Sequence, residues 1–202
     1  MSFPIIAIDK PMNNPLAYVF WHWPLPESEP DAYESLLMHF HRALAARRPE
    51  GFLRSSVFRL PGAPWAETDG PVYEDWYLVE HFAALGLLNE GAITGVSQEP
   101  HDRVAFQAEG GAGGVYRLRL GTSMPAEARQ ARWFSKPRGL SYDDLYDALS
   151  ALVEEAGAGL WQRQMVLGPA PEFCLFAPDV VELPDGLEPL VLDVERVVKR
   201  ET

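Results

Sequence analysis

The sequence predicts an α+β protein built from antiparallel sheets, each covered by helices on one face. Three observations carry this. Short runs rich in β-branched and aromatic residues, bounded by Pro and Gly, are separated by amphipathic helical segments. The order strand, helix, strand, strand occurs twice along the chain. With 47% hydrophobic and 23% charged residues in 202, the chain has a globular composition and can bury about 70% of its unfolded surface in a core.

A lead-in rich in Pro and Asn, residues 1–15, precedes the first strand at 16–23. Alternation puts Tyr18, Phe20 and His22 on one face of that strand and Val19, Trp21 and Trp23 on the other, so both faces read as buried or ligand-lined. Ser28, with Asp31 three residues on and Pro30 between them, predicts a capped helix start. Tyr33, Leu36, Leu37, Phe40 and Leu44 form its core stripe, Arg47 and Arg48 suit its negative end, and Pro49 and Gly51 stop it. Strands at 52–60 and 72–79 follow, separated by a Pro/Gly loop that permits a long hairpin. A short helix at 82–89 is expected to close at Gly91, and strands at 104–107 and 115–120 are expected to pair around a glycine loop at 109–114. That loop lacks the Lys-Ser/Thr ending of a phosphate loop and runs into a strand, so no helix N-terminus offers free amides to a phosphate.

The clearest helix starts at Ser141, carries Asp143 and Asp144 at its positive end, buries Leu145, Leu149, Leu152 and Val153, and ends at Gly157. Strands at 160–167 and 173–176 flank a Gly/Pro turn, and the tail at 190–198 adds one more. The segments Ala17-Tyr18-Val19-Phe20 and Ala131-Arg132-Trp133-Phe134 each open a β-α-β-β series, and Gly51-Phe52-Leu53-Arg54 and Gly159-Leu160-Trp161-Gln162 open their second strands. With the 82–89 helix and the 115–120 strand, the first series becomes βαββαβ, the ferredoxin-like unit. The chain therefore resembles the α+β barrel superfamily of antibiotic-biosynthesis monooxygenases, haem-degrading enzymes and chlorite-dismutase-like proteins. The resemblance rests on element order over about residues 16 to 178. It implies two ferredoxin-like halves, 16–121 and a shorter 122–202, with a pocket between joined sheets and haem or no cofactor at all. In the haem-degrading members an Asn, a Trp and a His surround the substrate. Asn13 or Asn14, Trp76 and His81 are of those types, but their spacing does not match, and the roles are not carried over.

Among candidate site residues, His22 stands mid-strand, where a neutral imidazole could act as a base, ligate haem iron, or simply be a buried and hydrogen-bonded core histidine. Trp21, Trp76 and Trp161 on strands suggest either an aromatic-walled pocket or sheet packing and an oligomer interface. Arg54 and Arg163 occupy corresponding strands of the two halves. They could pair with a carboxylate or phenolate ligand, or reach water or a nearby acid. Glu74 and Asp75 fall on opposite faces and form no acid/base couple by themselves. No metal site is expected: His39 and His41 lie about 200° apart on a helix, and the lone Cys174 reads as a core residue. The function these features suggest is an enzyme on a flat hydrophobic or aromatic substrate. The alternatives are a ligand-binding protein and an assembly subunit that forms a homo-oligomer.

A net charge of -12 argues against nucleic acid and anionic membranes as partners. The stretch from Val115 to Leu140 carries six basic residues against one acid, so a small anion could be drawn there. The lack of a signal-like N-terminus and the single cysteine point to the cytoplasm.

Overall fold

The computed structural model describes residues 14–123, 128–165 and 168–197. The elements are β1 (Leu16–Pro24), α1 (Pro30–Arg47), β2 (Phe52–Leu60), β3 (Val72–Val79), α2 (Phe82–Ala92), α3 (Gln98–Gln107), β4 (Ala108–Gly121), β5 (Gln130–Phe134), α4 (Tyr142–Glu155), β6 (Gly159–Gln164), β7 (Phe173–Ala177), β8 (Leu190–Asp193) and β9 (Glu195–Arg196). The predicted α+β class holds. Nine antiparallel strands form one sheet in the order β8-β5-β7-β6-β4-β1-β3-β2-β9. No helix among the described residues is long and apolar enough to cross a membrane.

Two runs within that order, β4-β1-β3-β2 and β8-β5-β7-β6, have the same topology and meet where β4 pairs with β6. The outer strands β8 and β9 are separated only by Val194, yet β8 pairs with β5 and β9 with β2. Val194 N donates to Arg129 O at 2.8 Å and Val197 N to Val57 O at 2.9 Å, so the tail ties the two ends of the sheet together. Closure removes edge strands that would otherwise expose unpaired backbone groups. It also encloses an aromatic interior in which Trp21 lies 5.4 Å from Trp133, Trp76 4.9 Å from Phe176 and Phe58 5.4 Å from Phe176, centroid to centroid.

The sequence misplaces three local features. Ser28 does not cap α1: Glu29 stands at the N-cap without a side-chain bond, and Ser28 N is used in a turn to Leu25 O. Pro30 instead starts the helix, its fixed φ already helical. Residues 104–107 belong to helix α3, and the expected glycine loop is the start of strand β4, paired with β1 through Trp23↔Gly110 and His22↔Gly111. The reason is side-chain packing. A Cβ at Gly110, Gly111 or Gly113 would come within 2.5, 2.6 or 2.8 Å of Trp23, Phe20 or Tyr18 respectively, so the bare backbone makes room for large rings on the neighbouring strand. Gly91 likewise lies inside α2, where its missing side chain admits Pro49, and does not end the helix. Ser141 caps α4 as expected, its Oγ accepting from Asp144 N at 3.1 Å.

Candidate functional site

Strand β1 separates two environments by its period of two. Ala17, Val19 and Trp21 enter the barrel, whereas Tyr18, Phe20 and His22 face a cavity of about 610 Å³ beneath helices α1, α2 and α3. Its walls are mainly apolar, with Phe40 and Leu44 from α1, Leu85 and Leu88 from α2, and Val104 from α3. Its polar side chains are Tyr18, His22, Tyr33, Asp75, Tyr77, Asn89 and His101.

Neighbouring acids on β3 illustrate what the two faces do. Glu74 points into the barrel and accepts Trp21 Nε1 at 2.7 Å and Trp76 Nε1 at 2.5 Å. Burial pushes its pKa up to about 7, against the opposing pull of the two indole bonds. The folded state therefore holds this proton more tightly than the unfolded chain does. The resulting stability is full below the unfolded value of 4.5 and is lost as pH rises to about 7. About 3 kcal/mol should disappear across that window. Urea midpoints at pH 5 and pH 8 measure it. Glu74→Gln should flatten the difference, and an unchanged difference would place its origin elsewhere.

Asp75 is 2% exposed and faces the opposite way, toward the cavity. Its Oδ2 takes Tyr77 Oη at 2.7 Å and His41 Nε2 at 3.1 Å, and His22 Nε2 lies 3.3 Å away. Burial alone would raise its pKa, but His41 and His22 outweigh that and hold the carboxyl well below the usual range. Burial first, and then the charge of Asp75, push the Tyr33 and Tyr77 hydroxyls upward, so both remain protonated donors at neutral pH. His22 Nδ1 is 2.7 Å from Tyr33 Oη, and His41 Nδ1 is 2.7 Å from Ser55 Oγ. Two polar atoms of this cluster, Asp75 Oδ1 and His22 Nε2, are buried without a hydrogen-bond partner among the described residues. His22 Nε2 is near Asp75 but out of line with it. The vacant oxygen of this carboxylate can accept a hydrogen bond from a bound molecule, and the imidazole beside it can take a proton.

Of the candidate site residues His22, Trp21, Arg54, Trp76, Trp161 and Arg163, His22 alone lines this cavity. Trp21, Trp76 and Trp161 lie wholly within the barrel core, on the other face of the sheet. Arg54 is exposed on β2 and donates to Ser123 Oγ at 2.8 Å, while Arg163 donates to the Ala170 carbonyl. His81 caps α2 by accepting from Ala84 N, Asn14 is bonded through its carbonyl to Arg117, and Asn13 lies outside the described residues. The basic stretch does not converge on the cavity either. Arg117 stacks over Phe82, Arg119 binds Gln162, and Arg132 binds Gln130. Sequence reading missed Asp75, which pairs with His22, and His41, which meets the same carboxylate. Their signal was the alternation of β3, which puts Asp75 on the helix-covered face, and the spacing of His41 from Leu37 and Leu44 on the buried face of α1.

No protein-family model matches the chain, and no curated protein matches it. Solved structures do. A protein of Fusobacterium nucleatum provisionally described as a monooxygenase has 9% identity and a TM-score of 0.64 over 93% of this chain and 94% of its own. One from Lactobacillus acidophilus, with the same provisional description, has 12% identity and a TM-score of 0.58 over 92% and 95%. An anthrone oxidase-like protein has 10% identity and a TM-score of 0.56 over 93% of each. What is shared at these identities is the fold, the ferredoxin-like α+β barrel of this monooxygenase-like group.

Proposed function

We propose that this protein is an enzyme that binds a flat hydroxyaromatic or enolisable aromatic molecule in the cavity under α1–α3, where Asp75 accepts a hydrogen bond from it and His22 removes its proton. The observation that carries the reading is the pair of unpartnered atoms, Asp75 Oδ1 and His22 Nε2, on side chains that line an otherwise aromatic and aliphatic cavity. An apolar wall with a few polar groups is the general form of a small-molecule site. The names of the fold neighbours favour an oxygenation. In such a reaction the substrate anion reacts with dioxygen, a ring methylene becomes a carbonyl, one oxygen atom enters the product and the other leaves as water. The substrate supplies all the electrons.

The lining argues against haem. An iron bound to His22 Nε2 would compete for space with the Asp75 carboxylate 3.3 Å away, and among the described residues no Arg or Lys lines the cavity to receive propionates. The repeated β4-β1-β3-β2 and β8-β5-β7-β6 orders support reading the chain as two ferredoxin-like halves, 16–121 and 122–202, of duplicated origin. In that reading the second half has kept one helix, α4, among the described residues.

Anthrone tests the proposal. Wild-type protein should consume dioxygen in its presence and form the quinone, and His22→Ala should slow this by about a hundredfold or more, the lower end of the range for a positioned general base. Saturable binding without oxygen uptake would make the protein a binder and not an enzyme.

A further inference from the structure

A second, smaller pocket of about 150 Å³ opens on the other side of α1, lined by Met38, His41, Ser55, Ser56, Val57, Arg196 and Val197. It shares no lining residue with the large cavity, yet the two are joined by hydrogen bonds. Asp75 Oδ2 lies 3.1 Å from His41 Nε2, and His41 Nδ1 lies 2.7 Å from Ser55 Oγ. Asp75 lines only the large cavity, whereas His41 and Ser55 line only the small pocket. A ligand filling the large cavity would cover Asp75 on that side. Among the described residues, the hydrogen bonds leading outward from its carboxylate then run through His41 to Ser55.

We propose that His41 and Ser55 are a proton exit that carries the proton removed in the large cavity to solvent in the small pocket. This rests on the proton-removing role given above to His22 beside Asp75. In the transfer the ligand O–H bond breaks and its proton joins His22 at Nε2. His22 Nε2 and His41 Nε2 lie 3.3 and 3.1 Å from the same Asp75 Oδ2, so the charge gained at His22 is balanced when His41, keeping its Nε2–H on that oxygen, releases its Nδ1 proton to Ser55, and Ser55 gives its own to water. The ligand keeps the electron pair as an anion, and one proton reaches solvent. An imidazole suits this because it can gain a proton at one nitrogen and lose one at the other. The titratable or charged groups facing the path are His22 on β1, Tyr33 and His41 on α1, Asp75 and Tyr77 on β3, and Arg196 on β9. His41 acts here through Asp75 and is a positioning and relay residue.

Two readouts test the exit. In ligand-free protein labelled with ¹⁵N-histidine, exchange of the His41 ring N–H with solvent should be at least tenfold slower in Ser55→Val, which puts methyls where the hydroxyl was, and restored in Ser55→Thr. Equal exchange in all three proteins, or failure of Ser55→Thr to restore it, would overturn the proposal. With 2-naphthol, a pH-indicator dye should report bulk proton release together with naphtholate formation in wild type. His41→Ala should delay the release at least tenfold, and added imidazole, entering the small pocket, should restore it. Release at the wild-type rate in His41→Ala, or a delay that imidazole does not relieve, would also overturn it. If wild type forms no naphtholate at all, the functional reading of the cavity fails, and the exchange measurement by itself decides whether the path conducts.

Discussion

Asp75→Asn should weaken binding of 2-naphthol by about ten- to a hundredfold while leaving binding of 2-methylnaphthalene within about threefold, because a hydrogen bond to a charged group contributes about 1.5–3 kcal/mol. The substitution keeps the size of the side chain and removes its charge. It also sets an amide donor beside Tyr77 Oη or His41 Nε2, both of which now lie within hydrogen-bond distance of Asp75 Oδ2. The methyl analogue measures the apolar part of the site, made by Phe20, Phe40, Leu44 and Leu88, which the substitution does not touch. Equal weakening for both ligands would mean that the cavity collapsed, and no weakening for either would remove Asp75 from the site. Calorimetric titration separates the three outcomes.

Trp133→Ala should destabilise the protein by about 3–5 kcal/mol, the usual cost of truncating a buried large aromatic. Trp133 is fully buried on β5 and touches rings from across the barrel, with centroid distances of 5.4 Å to Trp21, 5.5 Å to Tyr116 and 6.4 Å to Trp76. β5 is not hydrogen-bonded to the strands that carry those rings, so these contacts exist only because the sheet closes. Its indole Nε1 is among the buried atoms without a partner, so the loss comes from packing and not from a broken hydrogen bond. Urea unfolding measures the effect. A loss below about 1 kcal/mol would contradict a closed, ring-packed interior.

The strands and the two amphipathic helices were legible because their signals are local. Alternation fixed the faces of β1 and β3, including the opposed directions of Glu74 and Asp75, and Ser141 announced α4 through its own hydroxyl. The glycines of β4 were misleading because their meaning is not local. Gly110, Gly111 and Gly113 look like a loop until Trp23, Phe20 and Tyr18 on β1 are laid over them. The tryptophans misled for a related reason. Composition marks aromatic mass but not which face of a curling sheet becomes the interior, and closure through residues 190–197 depends on pairings with β5 and β2, far away in sequence. His22 could be recognised as unusual on its strand, but its partners come from other elements, Tyr33 from α1 and Asp75 from β3, and His41 of α1 meets the same carboxylate. Nothing in the spacing of those residues announces that they meet.

The most direct test of the cavity's chemistry is the absorption spectrum of 2-naphthol bound to wild-type protein at pH 7. The arrangement of Asp75 and His22 predicts the red-shifted band of the naphtholate anion, lost in Asp75→Asn. A bound ligand with the spectrum of neutral naphthol would contradict proton removal at this site.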